Sequence, residues 1–177
     1  MKGREKKEIL IQKKIKEDEF DEMMQLKGVK KIVLEKLLSE KFYEPEEIDM
    51  DPNFQLKLAE REATVSIDFV INLSVINFAV IKCANSGLES WERYITAFAR
   101  AVKDYQIPYA MITDGNEARI IDIIAGSFTG ETFQDFFDRQ KALEMIKNFQ
   151  KIPCPDYRLE KEKRIIYAFE SIKCPSS

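Results

Sequence analysis

The stretch SIDFVINLSVINFAVIKCA, residues 66–84, sets the tightest limit on what this chain can fold into. Its second half, VINFAVIKCA, is apolar at nearly every position, whereas a strand with one wet face alternates. Such a strand must be covered on both sides, so helices have to lie above and below its sheet. The preceding segment does alternate. In TVSIDFVIN, Val65, Ile67, Phe69 and Ile71 share one face, and Ser66, Asp68, Val70 and Asn72 share the other. NLS between the two segments serves as a hairpin connection. One carboxylate, Asp68, and one ammonium, Lys82, therefore sit within apolar strands, where an unpaired charge is costly.

The flanking sequence supplies the covering layers. Residues 4–26 are charge-dense, with apolar residues from Ile9 to Leu26 spaced for a helix with one stripe, and Gly28 ends it. A second helix over about 29–42 carries Val29, Ile32, Val33, Leu37 and Leu38 and stops before Pro45. NFQLKLAERE alternates as a first strand. SGLESWERYITAFARAVKDYQ places Trp91, Tyr94, Ile95, Phe98, Ala99 and Val102 at helical spacing, and IPYAMITDGNEARIIDIIAG gives strand, Asp-Gly turn and strand. Residues 131–150 and 156–173 read as two helices kept apart by the prolines of IPCPD. The predicted architecture is α/β, with a mixed sheet of about five strands flanked by helices. The helix after the third strand permits a parallel crossover there.

Composition narrows the chemistry. A chain of 177 residues suits one core. Its net charge of −3 and pI near 5.3 repel a polyanion unless a local basic patch gathers it. The absence of histidine excludes serine-histidine and cysteine-histidine catalysis and removes the commonest zinc ligand. Cys83, Cys154 and Cys174 are odd in number and widely spaced, which predicts free thiols rather than a disulfide framework. No apolar run reaches the roughly 20 residues of a membrane span, and the basic amino terminus lacks a signal-peptide core. The expectation is a cytoplasmic protein with no membrane partner.

The order of elements and several local phrases together resemble the N-terminal domain of the type I restriction enzyme R subunit, HsdR, within the PD-(D/E)xK nuclease superfamily. The phrases are VKKIVLEKLLSEKFY, SIDFVI, AVIKCA, YQIPYAMITDG and EKEKRIIYAFESIKC, which cover most of residues 28–174. The resemblance implies a restriction-endonuclease-like sheet over residues 28–152, an N-terminal helical extension over 1–27 and a C-terminal helix over 153–177. It also implies a metal site, in which an acid on the second strand and an acid-x-Lys on the third hold magnesium and activate water. Asp68 matches the first acid. The third strand departs from the pattern, with Ile81 and Cys83 at the acid and lysine positions. On that alignment Lys82 is one residue out of phase and points through the sheet, unless a β-bulge turns it back toward Asp68.

Two catalytic candidates follow, Asp68 and Lys82, and two metal-ligand candidates, Asp68 and Glu35. Glu40, Asp49 and Glu60 are further acids considered for completing a site. Lys82 must otherwise pair with an acid or snorkel, and Cys83 packs as a small apolar residue. Asp114 reads as a turn residue, and RLEKEKR at 158–164 as a solvated helix face. The predicted cofactor is none, or magnesium if the domain cuts. The leading expectation is a degenerate nuclease fold with a DNA- or protein-binding role, DNA and restriction-type proteins being the candidate partners. The alternatives are an active, rearranged magnesium-dependent endonuclease and a self-associating scaffold that forms a homo-oligomer. A Walker GxxxxGK[ST] loop is missing, so ATP hydrolysis by this chain is not expected.

Overall fold

A computed structural model describes the backbone of residues 2–173 and the side chains of residues 6–170; Cys174 lies outside them. The chain opens with α1 (Lys2–Ser39), one continuous helix where a break at Gly28 was predicted. Gly28 has no neighbour within 4 Å of where a Cβ would stand, so nothing there forces a turn. A lone glycine costs a helix only about 1 kcal/mol, too little to stop one whose next turns are anchored. Val33 and Leu37 supply the anchor, fully buried against the sheet.

Among the described residues eight strands follow, more than predicted: β1 (Ile48–Met50), β2 (Asn53–Leu58), β3 (Arg61–Ser66), β4 (Phe69–Leu73), β5 (Ile76–Cys83), β6 (Tyr109–Thr113), β7 (Glu117–Asp122) and β8 (Ser127–Thr132). Helix α2 (Glu92–Ala101) crosses between β5 and β6, and α3 (Arg139–Ile146) and α4 (Asp156–Lys173) close the chain. Six strands form one sheet in the order β1-β4-β5-β6-β7-β8, and β2 and β3 form a separate hairpin. Only β5 and β6 run parallel, as the crossover predicted. The architecture is that of a restriction-endonuclease-like α/β fold, with a mixed sheet flanked by helices.

The doubly buried strand behaves as its composition requires. Val80 faces a core shared with Tyr94, Phe98 and Ile166, on the side covered by α2, α4 and the β2–β3 hairpin. Ala79 and Ile81 face a second core with Val33, Leu37, Phe133 and Phe136, on the side covered by α1 and the segment after β8. At the Asp-Gly turn after β6, Gly115 has φ 101°, and an added Cβ would stand 2.9 Å from Ile32 of α1. The turn thus needs glycine for both conformation and space. Lys36 pins it by donating to the Gly115 carbonyl at 2.6 Å.

Three segments differ from the sequence reading. TVSIDFVIN is two strands, because the chain leaves the hairpin after Ser66 and enters the main sheet at Phe69, with Asp68 at the bend. The predicted helix over 131–150 shrinks to α3. The Asp135 carboxylate accepts from the backbone N–H groups of Glu131 and Thr132 and holds a turn there, while the Asp138 side chain caps α3 by accepting from Lys141 N–H. In RLEKEKR, Glu162 is buried rather than solvated. Its carboxylate accepts from Arg93 at 3.0 Å and Arg100 at 3.2 Å, both on α2.

Candidate functional site

Three strands and one helix meet at Asp68. β4 pairs antiparallel with β5, Phe69 opposite Ile81 and Val70 opposite Val80, so the next step of that register sets Asp68 against Lys82. On its other edge β4 pairs with β1, Met50 opposite Phe69, and Asp51 follows. The Asp51 N–H donates to the Asp68 carbonyl at 2.9 Å. From α1, Lys30 reaches over both acids.

The Asp68 carboxylate is nearly saturated by these neighbours. Its Oδ2 accepts from the Cys83 N–H at 2.6 Å and from Lys82 Nζ at 3.3 Å. Its Oδ1 lies 3.6 Å from Lys30 Nζ, which also donates to Asp51 at 2.5 Å. Asp68 and Lys82 are each 9% exposed, so their charges face one another in a medium where water screens them little. Lys82 Nζ also stands 4.7 Å from the centre of the Trp91 ring, which adds a cation–π contact. Burial alone would lower the Lys30 pKa. The hydrogen bond to Asp51 and the charges of Asp68 and Asp51 overcome it, and the net shift is upward.

The structure corrects the predicted direction of Lys82. It does not point away from Asp68 but shares its face, whereas Ile81 and Cys83 belong to the opposite core. No re-aiming is needed at Lys82; the register break lies farther along, between Ile71 and Asn72. The position at the end of β5 that looks toward Asp68 is therefore 82, and it holds lysine. Ala84 is buried in the same core as Val80. Because β5 is apolar on both faces, its sequence carries no phase from which this register could be read.

The other candidate acids do not gather here. Glu35 is exposed on α1. Glu40 accepts from Gln134, Asp49 from Asn72, and Glu60 sits exposed in the turn between β2 and β3. Among the described residues no group of three or more histidine, cysteine, aspartate or glutamate side chains is placed to hold a metal ion. A divalent cation needs several oxygen ligands. The Asp68 carboxylate is already engaged by two ammonium groups and the Cys83 N–H, and Asp51 by one of the same ammonium groups. Cys83 is no substitute nucleophile: burial, then the Asp68 charge, pushes its thiol pKa up, against the weaker pull of Lys82 and Lys30. Asp114 has the turn role read from the sequence, accepting from the N–H groups of Asn116 and Glu117.

Lys30, Asp51 and Trp91 are the members that sequence reasoning missed. Lys30 and Asp51 lie 38 and 17 residues before Asp68, and no local pattern announces that α1 and β1 bring them together. Beside the cluster runs a cleft of about 330 Å³, lined by Glu19, Glu22 and Met23 of α1 and by Lys82, Asn85 and Trp91.

A family model described as Type I restriction enzyme R protein N terminus (HSDR_N) matches residues 27–136. The chain belongs to this family. The matched stretch runs from the last turns of α1 through every strand, so the whole Asp68 cluster lies inside it. In the family the fold is that of the PD-(D/E)xK nucleases, and membership places this chain in a restriction-modification context. Comparison with curated proteins and with solved structures found no match. No helix among the described residues is long and apolar enough to cross a membrane.

Proposed function

We propose that this R-protein N-terminal domain has exchanged cleavage for binding, toward DNA or a restriction-type protein partner. The observation that carries the reading is Lys82 set against Asp68, with the carboxylate also held by the Cys83 N–H and Lys30. An ammonium neutralises the acid from within the fold, which is the task a metal ion would otherwise perform. Two lysines and two aspartates leave the cluster without the excess negative charge that draws a divalent cation.

Incubation of supercoiled plasmid with the protein and magnesium or manganese tests this. The expected result is intact plasmid and no shift of melting temperature on adding either metal. Cleavage that disappears in Asp68→Ala would overturn it and favour the second reading, an active site in which Lys82 serves beside Asp68. That reading draws on the 3.3 Å contact between them. A complementary variant, Lys82→Glu with Ala84→Lys, writes an acid-x-Lys in the register in which position 82 meets Asp68. It is expected to gain manganese binding measurable by calorimetry, where the parent chain gives none.

A further inference from the structure

The first half of α1 leaves the body of the molecule. Every side chain from Lys6 to Gln25 is exposed, a helical arm that rises about 1.5 Å per residue. It is not a wholly polar arm. Ile9 is 65% exposed, Phe20 57%, Met23 47% and Met24 49%, and on a helical projection these four fall within about 100° of arc. Ile9, Phe20 and Met24 are turned away from the side on which Leu26, Val29, Val33 and Leu37 meet the core, Met23 borders the cleft beside Lys82 and Trp91, and Ile11 and Ile15 lie on the core side. The single stripe expected from the sequence is thus two faces, one used within the chain and one left uncovered.

Charge says what covers the second face. Residues 2–16 hold seven basic residues against two acidic ones, and residues 17–22 hold five acidic residues, Glu17, Asp18, Glu19, Asp21 and Glu22, with no basic one. The arm is a basic block followed by an acidic block, complementary to itself when reversed. We infer that two copies of this chain pair antiparallel through their α1 arms. Setting residues near 14 of one copy against residues near 20 of the other brings Lys13, Lys14 and Lys16 beside the partner's Glu17 and Asp21, the acids that border this face. The same register carries Ile9 toward the partner's Met24. Parallel pairing would set acid on acid and base on base, so the charges also fix orientation. DNA would be attracted by the basic block but repelled by the acidic one, whereas a second copy answers both. The inference does not depend on whether the domain cuts.

Sedimentation equilibrium of the whole protein tests it, with two charge-reversed variants. One carries Lys13→Glu, Lys14→Glu and Lys16→Glu, and the other Glu17→Lys, Asp18→Lys and Asp21→Lys. All six positions are exposed, so folding is expected to survive and is checked by circular dichroism. The parent is expected to show twice the 20.7 kDa of one chain, each variant alone a single chain, and their equimolar mixture a restored dimer. A monomeric parent at all concentrations would overturn the inference. So would a dimer that persists in both variants, since the contact would then lie elsewhere, or a mixture that stays monomeric.

Discussion

Asp68 holds four groups at once: the Cys83 N–H, the ammonium groups of Lys82 and Lys30, and through its carbonyl the Asp51 N–H. Replacing it with alanine strands a buried ammonium and a buried N–H, which costs about 3–5 kcal/mol of folding stability. Removing both charges with Asp68→Ala and Lys82→Met costs less than the sum of the two single changes. Urea unfolding of the four chains measures that difference as a double-mutant cycle. Cys83 adds a pH dependence. Its folded pKa is raised by burial and by Asp68, so its contribution is complete below the unfolded value of about 8.5 and is lost as pH rises above it. Lys30, also raised, acts in the same direction at still higher pH. Unfolding free energy should therefore fall on the alkaline side, and less steeply in Cys83→Ala. In a Cys174→Ser background neither remaining thiol should react with a disulfide reagent until the protein unfolds, since Cys154 is buried as well. How far this cluster was legible depends on sequence distance. Asp68 and Lys82 stand out because a charge in an apolar strand demands a partner, and each is the other's. Lys30 and Asp51 carry no such mark, being ordinary charged residues until tertiary structure delivers them.

At the scale of elements, α4 is tied to α2 by a buried acid that its own sequence disguises. Glu162 sits among Lys161, Lys163 and Arg164, and the run reads as a solvated face, yet one position in it points inward to two arginines of α2. Glu162→Ala leaves Arg100, whose side chain is 14% exposed, without its carboxylate and should cost about 3 kcal/mol or more, read from thermal or urea unfolding. Glu160→Ala, which removes an exposed pair with Arg164, should change little. Strands announced themselves best where they alternate or are wholly apolar, as in β2, β5 and β6. The bend at Ile67 and Asp68 did not, because the alternation of TVSIDFVIN passes through it unbroken while the hydrogen-bonding partners change from β2 to β1 and β5. Helix α3 was overestimated for the opposite reason. Its apolar spacing continues toward residue 131, but Asp135 and Asp138 spend their carboxylates on backbone N–H groups and so favour turns and a late helix start.

At the scale of the whole molecule, the sheet apart from its edge strand β1 is assembled from two local pieces, the β4–β5 hairpin and the β6–β7–β8 meander, joined by the parallel pairing of Ala79 to Cys83 with Tyr109 to Thr113. Each piece can zip from its own tight turn, whereas the seam between them closes only after the α2 connection has been traversed. Closing that longer loop is the slow event expected of non-local contacts. Trimming a side chain at the seam, as in Ile112→Val, should slow refolding in stopped-flow measurements. The same loss inside the hairpin, as in Ile71→Val, should also slow refolding and leave the unfolding rate nearly unchanged, because the hairpin is already formed when the seam closes. A seam that forms last leaves β5, the longest strand of the chain among the described residues, with a bare edge while the rest of the sheet waits. In a crowded cell that interval is when two newly made chains would be most prone to stick together wrongly.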